Sequence, residues 1–465
     1  MRVLLVDLPA RDGVVSKDTV VGGYGSRLLP FSRVTQVIGT LKQRLHDVPS
    51  VQLAYLSAIL AQYGHDVLWS RGGRQEADVA IVLSSLVDHA HEAAWGDAAC
   101  GRGIRVRFVG LAASKLPHLF RDHADFVVIG EPEAAIRRLA RGERLKGDAV
   151  SEAITDLDTL PFPRWDQMKG KRSRRLAVPL AVRPYGGGIP LLASRGCPEF
   201  CTYCPHRILA GYRVRSVGNI ADELQMLCET FPRPYVIFRD PLFSEDRDRA
   251  FALADEIRAR GLDVRFECET RLDRLDPALL DALHAAGLRA ISFGVESVSA
   301  ETLRKVGRRP TPEAHQRIVI NHCRERGIAT AAFYVLGFLQ DDWASIAATI
   351  DYSIELGSTV AQFKLLTPYP ATPLWKQMAG RIYETDWERF DGFTPTFDHP
   401  NLTPRELRFL LGAAYTRFYM RPSWVANWAR ISARPVRSVV RRMDARVARR
   451  HARQEFSQMS RTVTC

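Results

Sequence analysis

Apolar residues in the first third of the chain alternate between short strand-like runs and longer helix-like stretches. The runs are rich in Val, Ile and Leu, and they fall at residues 1–8, 65–70, 78–85, 105–110 and 125–130. Between them lie stretches such as residues 51–63, whose apolar positions recur at helical spacing. Near-continuous apolar strands alternating with helices are typical of a parallel sheet that is covered on both faces. We therefore predict a doubly wound α/β domain over residues 1–150, with its ligands at the carboxyl ends of the strands.

The same alternation resumes after a Pro- and Gly-containing stretch that we interpret as a linker over residues 151–188. Six further strands are predicted at residues 189–194, 235–240, 264–270, 289–296, 330–337 and 360–366. Helices are predicted between them, for example at residues 219–231, 245–260, 276–286 and 341–356. Six βα units indicate an open, partial barrel over residues 189–385, short of the eight units of a closed one. Residues 386–465 are predicted as a helical C-terminal segment, with a helix from about Thr403.

Composition agrees with a folded protein of two or three domains. The chain has 465 residues, of which 46% are hydrophobic and 25% charged, and this excludes a disordered or fibrous protein. No apolar run is long enough to cross a bilayer, and the N-terminal run does not look like a secretory signal. We therefore expect a cytoplasmic protein without a disulfide framework.

The net charge of +13 is concentrated at the C-terminal end. Residues 421–465 contain eleven Arg and no Lys, against only Asp444 and Glu455. Trp424 and Trp428 precede arginines and valines that recur at three- and four-residue steps. A solvated helix or partly disordered tail is the interpretation that we favour, and peripheral contact with an anionic membrane is the alternative. Nucleic-acid binding is disfavoured, because the core shows no basic groove interleaved with aromatics.

The strongest chemical signal is a cluster of three cysteines among the eight in the chain. Cys197, Cys201 and Cys204 have the spacing C-x₃-C-x₂-C directly after the first strand of the second domain. Three thiolates on one loop can hold three irons of a four-iron cluster and leave the fourth iron open to a small molecule. A structural zinc site would need a fourth ligand; His206 could supply it, but no second ligand pair with zinc spacing follows. Simple core packing is disfavoured, because the loop is polar and contains proline.

This motif and its position resemble the radical S-adenosylmethionine (radical SAM) superfamily over roughly residues 190–370. The resemblance implies that Cys197, Cys201 and Cys204 bind a 4Fe–4S cluster whose open iron binds SAM. One electron, from a donor such as flavodoxin or ferredoxin, then cleaves SAM to methionine and a 5′-deoxyadenosyl radical. Tyr203 occupies the aromatic position whose backbone usually contacts the adenine.

Later stretches are similar to other motifs of the superfamily, in the same order along the chain. By this resemblance, Asp240 lies near SAM, Glu296 near its sugar or amino group, and Gly337 beside the adenine. A structural ion pair for Glu296 and an ordinary turn for Gly337 stay open as alternatives. Cys228, Cys268 and Cys323 are interpreted as core residues.

The first domain and its connector resemble the cobalamin-binding class of these enzymes. Residues 154–166 (ITDLDTLPFPRWD) are similar to the LD-x-LP-x-P pattern of that class. The resemblance implies a Rossmann-like, cobalamin-binding domain whose candidate contacts are Ser84, Ser85, Gly110, Gly130 and Glu131. The motif D-x-H-x-x-G for an axial His is absent, and His89 and His91 have the wrong spacing, so a domain that has lost cobalamin is an alternative. Methylthiotransferases carry three Cys in this domain, whereas here it has only Cys100.

The implied chemistry is methylation of an unactivated carbon. One SAM methylates the cobalamin, a second yields the radical that abstracts hydrogen, and the substrate radical takes the methyl group. No local motif identifies the substrate, for which a small molecule or a lipid-like compound is expected. Radical cyclisation or rearrangement, and a non-catalytic iron–sulfur protein, are the alternatives.

Overall fold

The computed structural model describes residues 1–11, 14–17, 23–28, 33–36, 48–165 and 188–422, together with residues 424 and 426. Most of the predicted linker and nearly all of the Arg-rich tail lie outside the described residues. The predictions made for the tail are therefore not addressed by the structure.

Strands are numbered in chain order, and helices are named by their bounds. The strands are β1 (Arg2–Val6), β2 (Val14–Ser16), β3 (Ser26–Leu28), β4 (Asp66–Ser70), β5 (Val79–Leu83), β6 (Arg105–Val109), β7 (Phe126–Ile129), β8 (Gly147–Val150), β9 (Ile189–Leu191), β10 (Ser194–Arg195), β11 (Arg213–Val214), β12 (Tyr235–Phe238), β13 (Arg265–Thr270), β14 (Leu288–Glu296), β15 (Ala329–Leu336) and β16 (Val360–Leu365). The α-helices whose two ends are described are Val51–Gln62, His89–Cys100, Leu111–Lys115, Pro132–Ala140, His206–Leu209, Val217–Thr230, Arg247–Ala259, Pro277–Ala286, Ala300–Lys305, Glu313–Arg326, Trp343–Leu356, Pro373–Met378 and Pro404–Tyr419.

Six parallel strands form the first sheet, in the order β4-β1-β5-β6-β7-β8. Alternate residues of its strands enter two different cores: Val3 and Leu5 pack into one, and Leu4 and Val6 into the other. The sheet is therefore covered on both faces, as the apolar runs predict. Because β4 and β5 lie on opposite sides of β1, the winding reverses there, and ligands of such sheets bind at the carboxyl ends of the strands near that point.

The second sheet places six parallel strands in simple chain order, β9-β12-β13-β14-β15-β16. Each of the six predicted strands is present, with bounds that differ by no more than three residues from the prediction. The partial barrel and the α/β class are thus confirmed.

A hairpin formed by β2 and β3 links the two sheets, and the sequence pattern did not predict it. The ring of Tyr24 stacks on Tyr369 at 5.8 Å, and its hydroxyl donates to the carbonyl of Pro370 at 2.8 Å. Ser26 Oγ donates to the carbonyl of Asp391 at 3.2 Å. The segment after β1 therefore packs against the segment after β16.

The helix Pro404–Tyr419 covers the outer edge of the second sheet. The helix predicted from about Thr403 is present, and Thr403 and Glu406 form a capping box at its start. The hydroxyls of Tyr415 and Tyr419 bond the backbone of Phe363 and Ala361 in the edge strand β16. Edge strands present unpaired backbone groups, and here the helix satisfies some of them. In the described part of the chain, no helix combines the length and the apolar character that crossing a membrane requires.

Candidate active site

The three clustered cysteines lie on a loop at the carboxyl end of β9. Cys201 is buried, and the amide of Cys204 donates to its carbonyl at 3.2 Å, which closes a turn. Gly196 has a φ of +71°, and a side chain there would collide with the backbone of Ala210 and Gly211. The loop is therefore tightly folded, and glycine directly before Cys197 is a requirement of the backbone.

Burial raises the pKa of all three thiols, and it raises that of Cys197 to about 11. The Cys201 thiol raises the pKa of Cys197, and both thiols raise the pKa of Cys204, so the three groups lie close enough to repel one another as thiolates. Deprotonated thiols at such a place need a cation beside them.

The donor set of these three thiols can be compared with what a single ion and what an iron–sulfur cluster require. Among the described residues, no three His, Cys, Asp or Glu side chains are arranged to hold one metal ion. In an iron–sulfur cluster each thiolate binds its own iron, so the ligands stand further apart than those of one ion. The donor set of three thiols on one loop therefore fits a cluster with one iron free of protein.

Arg308 lies against Cys201 and the predicted Glu296. Its Nη1 is 4.0 Å from Cys201 Sγ and 3.7 Å from Glu296 Oε1. Burial raises the pKa of Glu296, while Arg308 and a hydrogen bond with Tyr203 oppose the rise. The structure thus brings Glu296 to the cysteine loop, and the ion pair that the sequence left open is present as well.

Glu296 itself has an unusual backbone. Its φ of +66° lies in the left-handed region, and the register between β14 and β15 shifts between Gly294 and Glu296. A non-glycine residue costs energy in that conformation, and such strain is commonly found at functional sites.

Tyr203 packs beside the turn that Gly337 and Phe338 form at the end of β15. The ring of Tyr203 packs edge-on against Phe338, with 5.7 Å between the ring centroids. The amides of Gly337 and Phe338 each donate to Asp341 Oδ2 at 3.0 Å, and Gly337 has a φ of +83°. Gly337 therefore forms a turn, and that turn packs beside the cysteine loop.

Asp240 fixes the base of the cysteine loop. Its buried carboxylate accepts from the amide of Ala193 at 3.1 Å and from Ser194 Oγ at 2.5 Å. These bonds join the ends of β9 and β12. These two bonds give Asp240 a positioning role.

A cleft lies between the two sheets at their carboxyl ends. Its walls come from both domains and include Lys17, Gly110, Ser114, Gly130, Glu131, Glu133, Ser194, Arg195, Gly196, His206 and Arg239. Three of the five first-domain residues predicted to contact cobalamin, Gly110, Gly130 and Glu131, line this cleft. The base of the cysteine loop lines the same cleft.

The other two predicted residues do not line the cleft. Ser84 and Ser85 are fully buried. Ser84 Oγ donates to the carbonyl of Val109 at 2.8 Å, and Ser85 donates through its amide and its hydroxyl to Glu92, at 2.7 Å each. Both hydroxyls therefore hold the loop after β5, and these contacts give no support to a direct cofactor role.

An ion network across the domain boundary was not predicted. Arg195, two residues before Cys197, is 3.2 Å from Glu131 Oε1 and 2.8 Å from Glu133 Oε1. Arg213 pairs with Glu131 at 2.7 Å. The partners are more than 60 residues apart, so no local pattern could indicate the contact.

A buried pair in the first domain was missed for the same reason. Lys17 Nζ lies 2.7 Å from Glu92 Oε1, and both side chains are almost fully buried. Burial is the largest single influence and acts to lower the pKa of Lys17, but the carboxylates of Glu92, Asp7 and Asp88 together outweigh it, so the pKa is raised.

A family model described as the Radical SAM superfamily matches residues 191–352. The segment begins at the end of β9 and contains all three clustered cysteines, Glu296 and Gly337.

Curated relatives are similar over a larger part of the chain. An uncharacterised methyltransferase of Pyrococcus horikoshii is 27% identical over 321 residues, which are 64% of this chain and 68% of the relative. The bacteriochlorophyllide d C-12(1)-methyltransferase of Chlorobaculum tepidum is 26% identical, over 71% of this chain and 72% of its own. An anaerobic magnesium-protoporphyrin IX monomethyl ester cyclase of Cereibacter sphaeroides is 28% identical, over 60% and 45%.

Solved structures share the two-domain fold. The radical SAM methyltransferase TsrM from Kitasatospora setae, solved with cobalamin and a [4Fe–4S] cluster, matches with a TM-score of 0.58 at 18% identity, over 82% of this chain and 78% of its own. The cobalamin-dependent radical enzyme OxsB, solved with aqua-cobalamin and SAM, matches with a TM-score of 0.65 at 13% identity, over 92% and 70%. Residues 191–352 are thus a radical SAM domain, and the chain shares the two-domain fold of these cobalamin-dependent enzymes.

Proposed function

We propose that this protein is a cobalamin-dependent radical SAM methyltransferase that acts on an unactivated carbon of a small molecule. One observation carries the proposal: the base of the cysteine loop and the carboxyl edge of the first-domain sheet open into a single cleft. A radical formed at the loop and a methyl donor held by the first domain would then face the same substrate.

Each part of this chain has a defined task in that proposal. When bound, the cluster and SAM supply the radical, and cobalamin supplies the methyl group. Cys197, Cys201 and Cys204 hold the cluster, while Asp240 fixes the start of their loop. Tyr203 and Gly337 would form the adenine side of a SAM site, and Glu296, which is paired with Arg308, would lie near the amino or ribose end of a bound SAM.

The first domain would hold cobalamin through backbone rather than through a ligand to cobalt. Gly110 and Gly130 present bare backbone to the cleft. His89 and His91 are bonded to Leu86 and Asp88 and do not line it. His89 and His91 would therefore not hold a cobalamin placed in the cleft, which agrees with the missing axial-His motif.

The first experiment asks whether the protein makes the radical. Anaerobically reconstituted, reduced protein should convert SAM to 5′-deoxyadenosine, measured by mass spectrometry. Cys201→Ala should abolish both this product and the brown cluster absorbance, because a cluster ligand is lost. Cys100→Ala is the matched control, since Cys100 is exposed in the first domain, and it should behave as wild type.

The second experiment asks what the radical does. SAM labelled with deuterium in its methyl group should transfer that label to the product of a candidate substrate. An unlabelled, ring-closed product would favour the alternative of radical cyclisation, which the similarity to a cyclase supports. If a loaded cluster produced no 5′-deoxyadenosine at all, a non-catalytic iron–sulfur protein would be the better description.

A further inference from the structure

Two buried side chains in the first-domain wall of the cleft have hydrogen-bonding capacity that the protein does not use. Lys17 follows β2, and Glu133 lies in the first turn of the helix Pro132–Ala140. Both residues line the cleft, and both side chains are more than nine-tenths buried. Within the described part of the chain, Lys17 Nζ and Glu133 Oε2 lack a hydrogen-bond partner of good geometry. Unsatisfied buried polar atoms destabilise a protein, and a ligand can supply the missing partners.

The unused capacity of Lys17 is that of a donor. Its Nζ lies 2.7 Å from Glu92 Oε1, an ion pair that occupies at most one of the three N–H groups of an ammonium. Glu92 already balances the charge of Lys17, and the carboxylates of Asp7 and Asp88 act on it as well. A further anion is therefore disfavoured, and the partner that fits is a neutral acceptor such as a carbonyl oxygen.

The unused capacity of Glu133 is that of an acceptor. Its Oε1 accepts from Arg195 Nη2 at 2.8 Å, and this ion pair balances the charge of the carboxylate. Its Oε2 is the atom left without a donor in the described structure. Because the carboxylate is already paired with a cation, the partner that fits is a neutral N–H or O–H group.

A carboxamide is a neutral group that meets both requirements, because it has one carbonyl acceptor and two N–H donors. The corrin ring of cobalamin carries carboxamides around its edge, as acetamide and longer propionamide side chains. Lys17 and Glu133 lie in the same cleft wall as Gly110 and Gly130, which present backbone to the proposed cobalamin site. The chemistry of the two side chains therefore matches the edge of this cofactor.

We propose that Lys17 and Glu133 recognise propionamide groups of cobalamin, Lys17 by donating to an amide carbonyl and Glu133 by accepting from an amide N–H. This inference rests on the proposed function, which puts cobalamin in the cleft. It assigns to two buried side chains the selection of the intact cofactor over forms with hydrolysed amides. A carboxylate in place of the amide at Glu133 would face a buried carboxylate, and such a corrinoid is rejected.

The test measures how tightly the full chain binds four corrinoids. These are hydroxocobalamin and the three cobalamin monocarboxylic acids, in each of which one propionamide is hydrolysed to a carboxylate. Dissociation constants are obtained from the quenching of tryptophan fluorescence, without SAM or reductant, so the readout does not depend on turnover. The series in wild-type protein needs no substitution, and it therefore tests the proposal even if a variant fails to fold.

Two variants assign the effect to the two residues. Glu133→Gln keeps the shape of the side chain and an acceptor, but it removes the charge that repels the acid. Lys17→Met combined with Glu92→Gln removes the ammonium without leaving a buried carboxylate unpaired. Glu143→Gln is the matched control, because the Glu143 carboxylate pairs with Arg138 on the exposed surface. Iron content after reconstitution checks that each variant is folded.

Wild type should bind one of the three acids at least about tenfold more weakly than cobalamin, since a hydrogen bond is replaced by repulsion at a buried site. The other acids should show no such penalty. In Glu133→Gln the penalised acid should bind nearly as tightly as cobalamin, whereas Glu143→Gln should keep the wild-type pattern. The variant that lacks Lys17 should bind cobalamin about tenfold more weakly than wild type does.

Equal affinity of wild type for all four corrinoids would overturn the inference, and so would an equal penalty for all three acids. A penalty that persists in Glu133→Gln would overturn the role of Glu133, and unchanged cobalamin affinity without Lys17 would overturn the role of Lys17. A wild-type chain that holds its cluster but binds none of the four corrinoids would instead refute the proposed function. The two failures are therefore distinguishable.

Discussion

At the scale of single residues, backbone conformation accounts for two glycines that the sequence analysis assigns to cobalamin binding. Gly130 has a φ of +100°, and a Cβ there would lie 2.7 Å from the carbonyl oxygen of Ser151. Gly110 has a φ of +111°, and its Cβ would lie 3.1 Å from Ser84 Oγ. Both glycines are required by the fold, so their presence does not by itself indicate a corrin ring.

The cost of these conformations is testable at Gly130. Gly130→Ala should destabilise the protein by roughly 2–4 kcal/mol, because strain and a backbone clash add together. Gly142→Ala is the control, since Gly142 also has a positive φ, of +89°, but has open space around its Cβ position. It should cost only about 1 kcal/mol. Equal shifts in urea unfolding of the two variants would contradict the clash.

The titration of the Asp341 carboxyl gives a second testable prediction for a single residue. Burial raises its pKa to about 6, although the amides of Gly337 and Phe338 oppose the rise. Because the folded state holds this proton more tightly than the unfolded chain, Asp341 favours folding below about pH 4. That contribution is lost as the pH rises through 6. Asn keeps an acceptor for the two amides but does not titrate.

Asp341→Asn should therefore gain stability relative to wild type at pH 7.5 compared with pH 5, by roughly 1–1.5 kcal/mol. The measurement is the difference in melting temperature between variant and wild type at the two pH values. A difference that does not change with pH would show that the pKa of Asp341 is not raised.

At the scale of elements, short polar contacts fix the strand ends that carry the site. Every strand of the second sheet could be predicted from its apolar run, because strand burial leaves a local pattern. The bond from Ser194 to Asp240 could not, since it joins residues 46 positions apart. The left-handed backbone conformation of Glu296 could not be predicted either, because the residue in that conformation is not a glycine.

The positioning of the cysteine loop by Asp240 can be tested by substitution. Asp240→Ala leaves the buried amide of Ala193 and the hydroxyl of Ser194 without their acceptor, at a cost of roughly 2–4 kcal/mol. The loop that begins at Ser194 should then hold less iron after reconstitution and desalting. Asp255→Ala is the control, since that side chain is exposed on the helix Arg247–Ala259. Full iron content in Asp240→Ala would contradict a positioning role.

At the scale of the whole molecule, the site depends on contacts that hold the two sheets together. Arg27 of the hairpin pairs with Asp88 of the first domain at 2.6 Å and lies 3.5 Å from Glu388 of the C-terminal segment, while Arg195 and Arg213 reach Glu131 from the second domain. None of these contacts has a sequence signature, because long-range pairs depend on the assembled fold. The fold class and the cluster-binding role of the cysteine loop could be inferred from local sequence patterns, whereas the cleft shared by the two domains could not.

Glu131→Gln tests this connection. The change keeps the shape of the side chain but removes the charge that two nearly buried arginines share, and breaking such a pair costs about 3–5 kcal/mol. Calorimetry should show a lower melting temperature, and the cleft should bind cobalamin less tightly. Asp148→Asn is the control, because its pair with Arg121 is half exposed and screened by solvent. Matching thermograms for the two variants would argue against a connecting role.

The central claim is that one cleft serves an iron–sulfur cluster on the cysteine loop and cobalamin on the first domain. The most direct measurement is the metal content of the full chain after anaerobic reconstitution with iron, sulfide and cobalamin, followed by removal of unbound material. The account predicts about four iron and about one cobalt per chain, with Cys201→Ala losing the iron. A wild-type chain that retains iron but no cobalt would contradict it.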